Sequence, residues 1–189
     1  MVLFSFHNII MKNIRPPKDQ YYLNIAKEVA QRCTCFRYKA GAIIVRDDQI
    51  IATGYIGAPR KTKDCIERGF CLRDKLKVPH GHRYELCRSV HAEMNAIINA
   101  ARAGVSLFEG DMYCYGLSPK DGKEVDSFPC FLCKKMIINA GLNRVVCFTK
   151  EKNIKIFNVQ DWAKEWREKD IIDDQQQYGA DANIKENLI

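Results

Sequence analysis

Apolar residues recur along this chain at two spacings, one near 3.6 and one near 2, and their succession lays out the elements. Tyr22, Ile25, Ala26, Val29 and Ala30 fall on one stripe, which predicts a helix capped by Asp19 and running to about Gln31. Two runs rich in Ile, Val and Ala follow, Ala40 to Val45 and Gln49 to Tyr55, joined by a hairpin turn at Arg46-Asp47-Asp48. Residues 61 to 88 show no strong period, and a connection of that length is usually functional or tied down. Val90, Met94, Ile97 and Ile98 predict a helix over 89 to 103, with Gly104 suited to its C′ position. Asp111 to Gly116 reads as a strand and Ser118 to Phe128 as a polar loop. Residues 130 to 140 read as a helix carrying Leu132, Met136 and Ile137 and stopped by Gly141. Arg144 to Thr149 reads as a buried strand. A final amphipathic helix spans about Val159 to Glu168, with Trp162 and Trp166 one turn apart for packing. The predicted order is α-β-β-α-β-α-β-α, a mixed sheet covered by helices.

Length and composition fit one globular domain: 189 residues, 47% hydrophobic and 28% charged. The expected organisation is an arm at 1–18 closed by Pro16-Pro17, a domain at 19–170 and a polar tail at 171–189. Met11 is an alternative start. The stretch before it is too short and lacks the basic head of a secretory signal, and no run reaches the ~20 apolar residues that span a bilayer. The expectation is a cytoplasmic protein whose nine cysteines are reduced, buried or metal-bound rather than disulfide-bonded. A net charge of +7 is moderate and dispersed, so it describes a solvated surface and gives no reason to infer a nucleic-acid partner.

The chemistry concentrates in two distant segments, Ser89-Val90-His91-Ala92-Glu93 and Pro129-Cys130-Phe131-Leu132-Cys133. Imidazole and thiolate are the ligands a borderline-soft ion such as zinc prefers. Three protein ligands, His91, Cys130 and Cys133, leave the fourth place of a catalytic zinc to water, and Glu93 stands two residues away to move its proton. Cys130 and Cys133 share one face of a first helical turn, where the positive end of the helix dipole favours thiolates. A lone His-x-Glu on an amphipathic helix is common, and a lone C-x-x-C suits redox chemistry or half of a structural zinc site. In this order, with proline before the first cysteine, the two match the pattern of the zinc nucleobase deaminases.

The resemblance extends well beyond the metal motif. Thr34-Cys35, Lys39-Ala40-Gly41-Ala42-Ile43-Ile44, Thr53-Gly54-Tyr55-Ile56-Gly57-Ala58-Pro59 and Cys87-Arg88-Ser89-Val90-His91-Ala92-Glu93 resemble the deoxycytidylate deaminases of the cytidine deaminase superfamily over roughly residues 20 to 150. That resemblance implies an α/β, three-layer α/β/α cytidine-deaminase-like fold with a mixed central sheet. It also implies zinc, homo-oligomers and the hydrolysis of dCMP to dUMP and ammonia. In such a mechanism activated water attacks C4, and Glu93 carries its proton to ring N3 and then to the leaving amino group. The backbone N–H of Cys130 would steady the developing oxygen. Ala42 and Ala92 are carried over as substrate contacts, and Arg60 as a group able to reach the 5′-phosphate. Ala42 reads equally as a core alanine and Arg60 as an exposed surface charge. Some relatives hold a second, structural zinc in the corresponding loop, for which Cys35, Cys65, Cys71 and Cys87 are the ligands here and His82 the reserve; the plain alternative is four buried thiols. Cys33, Cys114 and Cys147 read as core or surface thiols.

Two features depart from the family pattern: Ile56, where many members carry asparagine, and the insertion from Asp121 to Asp126. Two other functions compete with the leading one. One is a transfer-RNA adenosine deaminase, which the same motif suits but which needs a basic surface around its pocket. The other is a zinc-stabilised binding module without turnover, against which Glu93 argues.

Overall fold

The computed structural model describes residues 15–79 and 82–168, so the tail at 171–189 and all but the end of the arm at 1–18 lie outside it. Helix α1 (Lys18–Ala30) leads into a hairpin of β1 (Lys39–Arg46) and β2 (Gln49–Tyr55). Asp47 and Asp48 form its turn with φ of 51° and 62°, the left-handed pair that matches strand twist and that aspartate tolerates. The long connection holds three short pieces: α2 (Cys65–Arg68), α3 (Leu72–Lys75) and a 3₁₀ turn at Tyr84–Leu86. Then come α4 (Ala92–Ala103), β3 (Asp111–Leu117), β4 (Glu124–Val125), α5 (Phe131–Asn139), β5 (Arg144–Phe148), β6 (Ile154–Asn158) and α6 (Val159–Glu168).

The strands form one mixed sheet in the order β2-β1-β3-β5-β6, with β4 paired to β3. β3 and β5 run parallel and the other pairs antiparallel. Alternate side chains of β1 serve opposite faces. Ile43 and Val45 pack with Leu23, Ala26 and Ala30 of α1, while Ala42 and Ile44 join the core beneath α4, α5 and α6. Burial on both faces explains why β1 is apolar almost throughout. The three-layer α/β/α arrangement follows, with both motif-bearing helices on one side.

Three expectations are corrected. Pro17, not Asp19, occupies the N-cap of α1; Asp19 lies in the first turn, accepts a 2.9 Å hydrogen bond from the Tyr113 hydroxyl and pairs with Arg144. The predicted helix at 89 begins at Ala92, because Val90 is held extended by a bridge to Gly57, with N–H···O distances of 2.9 and 3.3 Å. The buried face of α4 consists of Ala92, Glu93, Ala96 and Ala100, not Val90, Met94, Ile97 and Ile98, and Ile98 is 40% exposed. Close approach is the reason. A Cβ on Gly54 would overlap the carbonyl of Ala92 and the N–H of Ala96, so backbone presses on backbone and only small residues fit. β4 and β6 were not expected. β6 is an exposed edge strand carrying Lys155, a common guard on sheet edges, and its burial gives no clean alternation.

Candidate metal centre and active site

The site is built on two helix starts. His91 is the N-cap of α4 and Cys130 the N-cap of α5, both extended (ψ 157° and 167°), and neither spends its side chain on capping. Cys133 follows in the first turn of α5. Asn95 and Asn99 fasten α4 to the edge strand by donating to the carbonyls of Tyr55 (2.8 Å) and Thr53 (2.7 Å). His91 is thus positioned by hydrogen bonds on both sides of the strand-to-helix passage.

His91 Nδ1 lies 3.4 Å from Cys130 Sγ and 3.3 Å from Cys133 Sγ, and the sulfurs are 3.7 Å apart. A tetrahedral zinc with Zn–S of ~2.3 Å and Zn–N of ~2.0 Å requires edges of about 3.8 Å between sulfurs and about 3.6 Å between nitrogen and sulfur. The three ligand atoms therefore already stand at the corners of a zinc-sized tetrahedron. Among the described residues they are the compact group of metal-ligating atoms, all within 4.8 Å of one another.

The electrostatics suit a cation. Cys130 is brought down to about 4, first by the hydrogen bond from Cys133 and then by His91, with burial opposing. Cys133 moves up as the proton-holding member of the pair. Burial works to lower the His91 imidazole, but Cys130 and Glu93 together push it up. Glu93 is pushed up by burial, partly offset by His91 and the Cys133 thiol. A carboxyl group held in this way against the ligands is poised to accept and return a proton.

A cavity of about 420 Å³ opens onto His91, Glu93 and Cys130, with Ala92 also in its wall. Ala42 lies fully buried in the core, whereas its neighbours Ala40 and Gly41 reach the cavity. Arg60 is exposed and donates a 2.5 Å hydrogen bond to Asn99 Oδ1, and it is not part of the lining. Cys35, Cys65, Cys71 and Cys87 all border the same cavity. Burial, and then their mutual proximity, pushes the thiols of Cys35 and Cys65 up. Their sulfurs do not reach the spacing of the first group. The remaining thiols are structural: Cys33 donates to Tyr38 O at 3.3 Å, and Cys114 and Cys147 face each other in the β3–β5 ladder.

Tyr84, Arg37, Arg73 and Arg88 also line the cavity, and none was anticipated. The length of the 61–88 connection is a signal that it does work, but nothing in the sequence distinguishes these arginines from solvated ones.

A mixed sheet between helical layers thus carries a His-Cys-Cys group and a buried glutamate where two helices begin, the donor set that a zinc site open to water requires. The zinc-binding region of cytidine and deoxycytidylate deaminases matches residues 16–149, and the chain belongs to that family. It is 36% identical over 138 residues to the deoxycytidylate deaminase of Mycobacterium phage D29, covering 70% of this chain and 94% of that protein. It is 33% identical over 135 residues to the deoxycytidylate deaminase of Schizosaccharomyces pombe, covering 71% of this chain but 38% of that longer protein. A solved structure of dCMP deaminase from the cyanophage S-TIM5, in complex with dCMP and dUMP, superposes with a TM-score of 0.50 at 27% identity, over 70% of this chain and 81% of that one.

Proposed function

We propose that this chain catalyses the hydrolytic deamination of dCMP to dUMP and ammonia. One observation carries the reading: His91, Cys130 and Cys133 have the edge lengths of a zinc tetrahedron, with the buried Glu93 beside them at the floor of a nucleotide-sized cavity. The phage D29 and S-TIM5 relatives support the choice of substrate.

His91, Cys130 and Cys133 would hold the ion. When bound, zinc acidifies water enough to supply a nucleophile near neutral pH. Glu93 takes a proton from the attacking water, delivers it to ring N3 and later protonates the amino group leaving C4. Ala92, in the cavity wall, is the proposed contact to the pyrimidine. Arg60 and Ala42 carry less of the reading, since one is engaged with Asn99 and the other lies behind the lining. A second zinc held by Cys35, Cys65, Cys71 and Cys87 is part of the proposal, supported by all four bordering that cavity. So are a catalytic unit at 19–170 and a homo-oligomeric assembly. A reducing, cytoplasmic setting is also proposed, supported by nine free cysteines. Among the described residues no helix is long and apolar enough to cross a membrane.

The test is ammonia release by the zinc-loaded protein from dCMP, deoxycytidine, cytidine and a transfer-RNA hairpin. dCMP is expected to be turned over best. Glu93→Ala should keep its zinc while turnover drops at least about 100-fold. Turnover confined to the hairpin, or an active Glu93→Ala protein, would overturn the reading.

A further inference from the structure

The stretch from Asp121 to Asp126, where the sequence departs from the family pattern, lies in a hairpin at the end of β3. Gly116 pairs with Val125 and Leu117 with Glu124, and the turn closes with Ser118 N–H on Lys123 O at 2.8 Å and Gly122 N–H on Ser118 O at 2.9 Å. Gly122 supplies the left-handed residue of that turn, with φ of 69°. On one side the hairpin is tied to α1: Glu124 accepts from the Tyr115 hydroxyl at 3.1 Å and from Lys27 at 3.3 Å. Its exit, Asp126-Ser127-Phe128, forms part of the cavity wall and leads through the fully buried Pro129 to Cys130.

A tyrosine from the start of β1 reaches this exit. Tyr38 lines the same cavity and donates from its hydroxyl to Asp126 O at 2.6 Å, joining residues 88 positions apart. Gly116 makes the bond possible. A Cβ there would overlap the Tyr38 hydroxyl oxygen and crowd Val125 O, so β3 carries glycine at a place where glycine weakens a strand. The backbone of Tyr38 is fixed as well, its carbonyl accepting from the Cys33 thiol at 3.3 Å. Residues 126–130 have no regular structure, and side chains set their path. The Ser127 hydroxyl reaches the carbonyls of Cys114 (2.9 Å) and Phe148 (3.2 Å), and Asp126 Oδ1 accepts from Lys150 N–H at 3.1 Å. Those contacts hold the segment to β3 and to the end of β5, and Tyr38 adds the hold from the β1 side.

We infer that Tyr38 is a positioning residue for the reaction: its hydroxyl latches the 118–126 hairpin against β1 and holds the Asp126-Ser127-Phe128 wall where the substrate needs it. This rests on the deaminase reading above and adds to it a residue, outside the metal motif, that governs substrate binding. A wall fixed before the substrate arrives acts on the ground state and the transition state alike. Loss of the latch therefore shows in KM rather than in kcat.

The experiment uses Tyr38→Phe, which keeps the ring and removes the hydroxyl. In the zinc-loaded protein KM for dCMP is expected to rise about 10-fold, the worth of one buried hydrogen bond, with kcat within about 2-fold of the wild type and zinc retained. A merely structural tyrosine would lower the melting temperature and leave KM unchanged, which overturns the inference. Amide hydrogen exchange reads the latch without turnover. Residues 123–128 should exchange faster in Tyr38→Phe while the β1–β2 hairpin keeps its wild-type rates. Unchanged exchange at 123–128, or equally faster exchange across the whole sheet, overturns the latch. Absence of dCMP turnover in the wild type would defeat the deaminase reading, and the exchange measurement would then still judge Tyr38 by the same two outcomes.

Discussion

Two groups of cysteines meet one cavity, the first through Cys130 with Cys133 buried behind it, and they are organised differently. His91, Cys130 and Cys133 stand at 3.3 to 3.7 Å from one another because each is rooted at the start of a helix packed on the sheet. Cys35, Cys65, Cys71 and Cys87 sit on helices of four residues, or between elements, and remain wider apart. A regular scaffold can hold ligand atoms in place by packing alone. A loop that makes few buried contacts depends on whatever it binds for its final shape, as in small metal-folded domains. The first group is thus preorganised for chemistry, and the second has the character of a clasp.

The sharpest way to break this comparison is to remove one ligand from each group. Cys133→Ala should lose the catalytic ion and reduce turnover by at least about 1000-fold, as loss of both metal and acidified water requires. Cys65→Ala should retain substantial turnover but open the 61–88 connection to proteolysis. Metal analysis should find two zinc ions in the wild type and one in each variant, and one in the wild type would dismiss the clasp. A smaller effect tests the scaffold under the first group. Gly54→Ala forces a methyl against the backbone of α4 and should cost about 1–3 kcal/mol in denaturant unfolding, as overpacking does. Its zinc affinity should fall with it, because His91 begins that helix.

The smallest effect concerns Tyr84, which lies edge-on to His91 and beneath Arg73. Burial, with Cys130 adding to it, pushes its hydroxyl up to about 12. The folded value lies above the unfolded value of about 10, so the stability it contributes is whole below pH ~10 and is lost as pH rises toward 12. Melting curves across that window should show the wild type losing ground to Tyr84→Phe, and parallel curves would place the tyrosine in solvent.

Much of this was legible beforehand because the informative residues obey local rules. The hairpin followed from two β runs around Asp47-Asp48, and the gathering of His91, Cys130 and Cys133 from residue types and spacing that physical chemistry restricts. The misses share a different cause. On α4 the larger apolar residues drew the predicted face, but the space available at Gly54 belongs to alanine, and strand-to-helix distance is a tertiary property. β6 is too exposed to alternate, and β4 is two residues long. Arg73 was passed over because an arginine in a polar stretch has the appearance of surface; its burial is created by Tyr84, Pro79 and His82 folding around it.

Gly41 and Gly54 lie diagonally on adjacent strands, one admitting the backbone of α1 at Ala26 and Ala30, the other that of α4 at Ala92 and Ala96. The central layer is therefore at its narrowest directly behind the metal ligand. Freedom to vary in this protein should follow the thickness of that waist rather than distance from the reacting atoms: enlarging Ala26 on the far side would be felt at His91 before many nearer changes on the cavity rim.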